Sequence, residues 1–243
     1  MSARVLLLAG TAEARVLAER LRGTPGLRLT ASLAGVTAAP APIAAETRRG
    51  GFGGAEGLAG YLHANAIAAV IDATHPFAAQ MPINAARACA ATPRLRLIRP
   101  PWAPVGDWRS LPDLAAAAAA LPTGAHALLT TGRKETAPFA ARPDVRFLLR
   151  SIEPVAGLPP HITQLAARPP FTLDAELALT RDRCITHLVS KNSGGAGRAK
   201  LNAAARRGLP ILMVERPAPP PGPQAATIDA AVAWLRKTVA LGA

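Results

Sequence analysis

Val5-Leu6-Leu7-Leu8-Ala9-Gly10-Thr11-Ala12-Glu13 is an apolar run of strand length that breaks at one glycine and restarts in a helical spacing through Leu17 and Leu21. A strand with no polar alternation has no solvent side, so it belongs to a parallel sheet covered on both faces by the helices that follow each strand. The run is too short for the apolar region of a signal peptide and leads straight into a turn, which makes it a strand and not a targeting segment.

The same alternation recurs downstream. Leu27–Leu33 reads as a second strand before Gly35, residues 55–64 as a helix, and residues 66–73 as a third buried strand running into Asp72-Ala73-Thr74-His75-Pro76. A helix over residues 82–91 and a short strand over 95–98 follow. Pro100, Pro101 and Pro104 end the pattern, because proline removes a backbone donor and restrains the residue before it; the boundary placed there gives domains 1–101 and 102–243. Beyond it come a helix over 111–121 with six consecutive alanines, strands over 125–130, 145–149 and 161–165, and a helix over 173–180. A strand over 185–189, a helix over 198–207, a strand over 210–214, a proline-rich connector over 217–223 and a terminal helix over 228–241 complete the chain. The expectation is an α/β protein of two three-layer domains with mainly parallel sheets.

At 243 residues the chain is long enough for two cores. Half of it is hydrophobic, yet no apolar run reaches the ~20 residues of a membrane span, so the protein is expected to be soluble and cytoplasmic. Cys89 and Cys184 are far apart and lack metal-ligand spacing; both are expected to be small buried residues, and no metal site is expected. The formal charge of +13 favours capture of anions, although an arginine- and alanine-rich composition accounts for much of it. Nucleic-acid binding calls for basic residues interleaved with stacking aromatics, and aromatics are only 4% of the chain, so a small polyanion is the expected partner.

In open α/β sheets ligands sit beyond the carboxyl ends of the strands, and four polar loops fall there. The first, Gly10 to Glu13, has one glycine where a dinucleotide fingerprint has three; it is either a phosphate-receiving helix start or a tight turn with a capping threonine. Thr74-His75-Pro76-Phe77 places a histidine at a strand end, able to donate a hydrogen bond, to move a proton, or only to satisfy loop carbonyls. Thr130-Thr131-Gly132-Arg133-Lys134-Glu135 joins hydroxyls to adjacent cations that suit phosphate groups such as those of NADP. Ser190-Lys191-Asn192-Ser193-Gly194-Gly195, with Lys200 on the following helix, combines two cations, hydroxyls, an amide and flexible backbone, more than helix capping requires. No acyl-transfer triad, Walker-type loop or metal triad stands out, which leaves oxidoreductase or transferase chemistry on an anionic ligand.

Together and in this order, eight segments resemble the precorrin-6A reductase family of cobalamin biosynthesis: LLLAGTAEAR, GGFGG with EGL at 50–58, DATHPFA at 72–78, RPPW at 99–102, TTGRKE at 130–135, Pro170-Phe171 with Glu176, SKNSGG with Lys200, and GLPILMVERP. The resemblance covers nearly the whole chain. It implies two Rossmann-like domains with a ligand cleft between them, NADPH as cofactor, and reduction of one ring double bond of precorrin-6A, a polycarboxylate tetrapyrrole, to precorrin-6B. By the same resemblance Gly10, Thr11, Ala12, Glu13, Thr74, Thr131, Gly132, Arg133 and Lys134 are expected to bind the cofactor. Ser190, Lys191, Asn192, Ser193, Gly194, Gly195 and Lys200 are expected to hold substrate carboxylates. Lys191, Lys200, His75 and bound water are the candidates for proton supply. After Ala34-Gly35, where many relatives carry arginine, this chain has Val36, so an anion contact there must come from elsewhere. No nucleic acid or membrane partner is expected, and transient contact with other cobalamin-pathway enzymes is. The alternative of another class is a non-catalytic nucleotide- or tetrapyrrole-binding carrier with the same architecture, because a fold does not fix a function.

Overall fold

The computed structural model describes residues 2–33 and 42–240; Gly35, Val36 and Leu241, on which sequence expectations fall, lie outside the described residues. In chain order the elements are β1 (Ala3–Ala9), α1 (Ala12–Leu21), β2 (Leu27–Leu33), β3 (Glu46–Arg49), α2 (Gly54–Ala64), β4 (Ile67–Ala73), α3 (Gln80–Ala88) and β5 (Arg94–Leu97). Next come β6 (Trp108–Leu111), α4 (Leu114–Ala119), β7 (His126–Leu129), α5 (Ala137–Ala140), β8 (Arg146–Ser151) and β9 (Ile162–Ala166). The last are α6 (Leu173–Asp182), β10 (His187–Lys191), α7 (Ala199–Arg206), β11 (Ile211–Val214), β12 (Gln224–Ala225) and α8 (Ile228–Thr238).

Two compact units result, one of Met1–Pro100 with Pro217–Ala243 and one of Pro101–Arg216. Each holds a six-stranded sheet, ordered β3-β2-β1-β4-β5-β12 in the first and β9-β8-β7-β10-β11-β6 in the second. Every neighbouring pair in both is parallel. The two sequences of strands are the same doubly wound plan, in which the direction of winding reverses between β1 and β4 and between β7 and β10; ligands bind at such a switch point.

The unbroken apolarity of β1 has its reason in this plan. Val5, Leu7 and Ala9 pack with Leu17 and Leu21 of α1 and with Ala231 and Leu235 of α8. Leu6 and Leu8 pack on the other face with Leu58 and Leu62 of α2 and Ala85 of α3. Full burial of each large side chain contributes about 1.5–3 kcal/mol, so neither face tolerates a polar residue. In the second unit Leu128, Leu148, Leu188, Ile211 and Met213 meet Leu201 and Ala204 of α7. There Phe139 of α5 lies edge-on to Phe147 of β8, with ring centroids 5.3 Å apart.

The boundary expected from sequence needs correction at its far end. Residues 217–243 belong to the first unit, because β12 pairs with β5 through Gln224↔Arg96 and Ala225↔Leu97 and α8 covers the sheet beside α1. A two-residue strand has no periodicity to read. Two further strands went unread for related reasons: β3 is an exposed edge strand made of Glu46, Thr47, Arg48 and Arg49, and β6 overlaps the residue at which the alanine-rich helix was expected to begin. That helix starts later, at Leu114, where the Asp113 carboxylate accepts the Ala116 N–H at 2.8 Å. Cys184 is exposed, in the left-handed region at φ 49° in the turn after α6, and not buried as expected; Cys89 is half-buried, and burial pushes its thiol up to about 11. Among the described residues no helix is long and apolar enough to cross a membrane, and no group of three His, Cys, Asp or Glu side chains is placed to hold a metal ion.

Candidate active site

In the first unit the loops after β1 and β4 meet at the switch point. A side-chain carbon at Gly10 would stand 3.4 Å from the His75 backbone nitrogen and 3.5 Å from Thr74 Cα, so glycine lets the two loops approach closely. Thr11 caps α1: its hydroxyl accepts the Ala14 N–H at 3.2 Å and donates to the Ala73 carbonyl at 2.9 Å. That hydroxyl proton is engaged by the last residue of β4, which leaves the backbone N–H groups of the helix start as the outward donors of this loop. Glu13 is neutralised by Arg99 at 2.7 Å, which removes the objection an acidic first turn would raise to a phosphate.

Asp72 organises the second of these loops. It is fully buried at the end of β4, where Oδ1 accepts from the Thr74 N–H at 3.1 Å and the Thr74 hydroxyl at 2.7 Å. Its Oδ2 stands 4.0 Å from Nε of buried Arg96, and neither atom has a hydrogen-bond partner among the described residues. Burial holds the Arg96 guanidinium below its ordinary range, and Asp72 opposes that shift. His75 Nδ1 accepts the Phe77 N–H at 3.2 Å, so the neutral ring carries its proton on Nε2.

In the second unit the loop after β7 is tied to the end of β10, the Thr130 hydroxyl donating to Ser190 Oγ at 3.0 Å. Thr131 is buried, and its hydroxyl has no hydrogen-bond partner among the described residues. An unsatisfied buried hydroxyl costs about 1–3 kcal/mol, a cost that a ligand oxygen would relieve. Gly132 follows at φ 109°, a conformation open to glycine, with nothing within 4 Å of where a side-chain carbon would stand. Arg133 pairs with Glu153 at 2.6 Å, whereas Lys134 is exposed.

The residues of the SKNSGG segment differ in burial. Ser190 is fully buried and Asn192 is 4% exposed. The Asn192 Oδ1 accepts the Trp102 N–H at 2.8 Å, and its Nδ2 donates to Glu215 at 3.2 Å and to the Trp102 carbonyl at 3.4 Å. Trp102 Nε1 donates to the Gly195 carbonyl at 2.7 Å. The Asn192 side chain thus ties the loop to Trp102, and Ser190 Oγ accepts the Thr130 hydroxyl at 3.0 Å, so both expected ligand contacts lie at residues that also hold the loop. Gly194 and Gly195 adopt φ of 67° and 81°, the left-handed conformation that lets the backbone turn toward Trp102. Lys191, Ser193 and Lys200 are half-buried and Gly195 is exposed. Asn192→Ala should lower the stability of this unit by about 1–3 kcal/mol, since the Trp102 N–H loses its acceptor, and the shift in denaturant midpoint measures it.

The cations differ in their surroundings. Lys191 Nζ is 2.6 Å from Glu135 Oε2. Lys200 Nζ lies 5.1 Å from the centroid of the Trp102 ring, and among the described residues Lys200 makes no ion pair. Burial foremost, then the Arg150 and Lys191 charges opposed by Glu176, push the Lys200 ammonium down to about 8. Arg150 and Glu176, 2.7 Å apart and both buried, had no role in the reading of individual residues; one position on β8 and one on α6 carry no local signal that they meet.

These features define a class: a tandem doubly wound α/β protein with close-packed polar loops at one switch point and a cationic, partly dehydrated loop pair at the other. A family model described as "Precorrin-6x reductase CbiJ/CobK" matches residues 4–236. The chain is 46% identical to a precorrin-6A reductase of Rhodobacter capsulatus over 96% of this chain and 95% of that one, and 45% identical to one of Rhodococcus erythropolis over 96% and 97%. A solved structure titled "CobK precorrin-6A reductase" matches with a TM-score of 0.91 at 43% identity, covering 97% of each chain. The chain belongs to the precorrin-6x reductase family.

Proposed function

We propose that this protein is an NADPH-dependent precorrin-6A reductase that adds two hydrogens across one carbon–carbon double bond of the macrocycle to give precorrin-6B. Relatives named for precorrin-6A are 42–46% identical, whereas one from Priestia megaterium named for cobalt-precorrin-6A is 32% identical, which favours the metal-free pigment as substrate.

The residues present fit a phosphate-bearing cofactor in the first unit: the start of α1, the close-packed Gly10, Ala12 and Glu13 neutralised by Arg99 would hold it, with Thr74 and His75 beside it. NADPH when bound supplies a hydride. In the second unit Thr131, Gly132 and Lys134 offer donors and charge to anionic ligand groups, and Lys191, Ser193 and Gly195 receive substrate carboxylates.

The single observation that carries the catalytic reading is the state of Lys200. An ammonium lowered to about 8 is a better acid near neutral pH than an ordinary lysine, whereas the Lys191 ammonium is held by Glu135. We assign the proton to Lys200. Mixing the protein with NADPH and precorrin-6A should consume reduced-nicotinamide absorbance and add the mass of two hydrogens to the pigment. Binding of both without turnover would make the protein a carrier.

A further inference from the structure

The carboxyl edge of the first sheet carries cations beyond the loops after β1 and β4. Its strand ends line up: Ala9 of β1 pairs with Leu33 of β2, and Leu33 with Arg49 of β3. Register partners in a parallel sheet share a face, and Ala9 and Leu33 pack on the face that α1 covers. Arg49 therefore stands on that same face, two strand spacings or ~10 Å across from the end of β1, where α1 begins. It is exposed, and among the described residues it pairs with no carboxylate.

Its neighbour Arg48 fixes the strand end from the opposite face. The Arg48 guanidinium donates to Ser32 Oγ at 2.8 Å and to the Gly50 and Gly51 carbonyls at 3.0 Å each, and its carbon lies 3.8 Å from the centroid of the Phe52 ring. Phe52 is held in turn. Its ring is edge-on to Tyr61, with centroids 5.2 Å apart, and a side-chain carbon at Gly57 would collide with its carbonyl oxygen, so glycine lets this turn lie against α2. The backbone that carries Arg49 is thus anchored by side chains on both sides of it, while the fold makes no use of the Arg49 guanidinium.

The charge at this edge selects the ligand. Residues 34–45, the whole connection from β2 to β3, contain no charged side chain. A dinucleotide with its pyrophosphate at the start of α1 brings its adenosine ribose to the end of the second strand, where an acid would accept a free 2′-hydroxyl and an arginine would meet a 2′-phosphate. That connection supplies no acid, Glu13 is taken by Arg99, and Asp72 is buried beside Arg96. The cation within reach is on the next strand.

We propose that Arg49 is the specificity-determining residue of the cofactor site, selecting a 2′-phosphorylated adenine nucleotide by a charge-assisted contact with the 2′-phosphate. The choice between phosphorylated and unphosphorylated cofactor then lies on β3 and not in the segment that follows β2. The inference rests on the reading of the first unit as the dinucleotide site and names the group that it recognises.

The test is calorimetric titration of the full chain, without substrate, with adenosine 2′,5′-bisphosphate and with 5′-AMP. The native protein should bind the bisphosphate about 10–100-fold more tightly, the difference that a hydrogen-bonded charge pair makes. Arg49→Gln should remove most of that preference by weakening the bisphosphate alone. Arg49→Lys, which keeps the charge but not the planar fork, should fall between the two. A native preference that survives Arg49→Gln overturns the proposal and leaves the cofactor reading standing. An equal loss for both probes also overturns it, since that marks a structural role. Failure of the native protein to bind either probe refutes the dinucleotide reading of the first unit and the proposal with it.

Discussion

Lys200→Ala is expected to lower kcat for precorrin-6A by about 10²–10⁴-fold, the range a positioned general acid contributes, with little change in NADPH affinity. Steady-state kinetics and a separate NADPH titration measure the two parts. The residual rate should lose the basic limb near pH 8 that the native lysine imposes, because no ammonium of that acidity remains to be titrated. Stability should respond in the opposite sense from activity. The folded pKa of about 8 lies below the ordinary 10.5, so between these values the unfolded chain binds more protons and native stability rises with pH. Lys200→Met should abolish that rise, seen as a denaturant midpoint that no longer climbs across the window. A variant with wild-type kcat and an unchanged basic limb would remove Lys200 from the reaction.

Asp72→Ala should have the largest effect on the fold, about 3–5 kcal/mol, because it leaves the guanidinium of Arg96 buried with no counter-charge. The Thr74 N–H and hydroxyl lose their acceptor together, so the loop against which Gly10 packs loosens and NADPH should bind more weakly. Asp72→Asn retains an oxygen for Thr74 and should restore the loop but not the charge. Chemical denaturation of the three proteins, with NADPH titrations, separates the contributions. A loss below about 1 kcal/mol for Asp72→Ala would mean that Arg96 finds other solvation, as exposed pairs do.

The sheet plan was legible because it rests on local signals. The β1 run, the glycine after it, and strands such as Leu27–Leu33 announce themselves by apolar continuity and by turn residues at their ends. The four loops were legible for the same reason, as polar breaks in apolar surroundings. What the side chains of those loops do was not. Thr11, Ser190 and Asn192 carry groups typical of ligand contact, but each hydrogen-bonds to a segment far away in sequence: Thr11 to Ala73, Ser190 to Thr130, Asn192 to Trp102. Arg150 and Glu176 illustrate the converse, ordinary surface residue types that become a buried pair only because β8 and α6 bring them together. The return of residues 217–243 to the first unit was illegible because β12 is only two residues long and its pairing depends on the free edge of β5.

That return has a consequence for the order in which the chain matures on the ribosome. Pro101–Arg216 is contiguous, so its sheet has all six strands once it has emerged. The earlier-made Met1–Pro100 must wait with one edge of its sheet uncapped, and Leu95 and Leu97 without their α8 cover, until the last segment is translated. The half of the protein synthesised first is thus the half completed last, and a premature stop after Arg216 would release a finished second lobe tethered to an unfinished, adhesive first one.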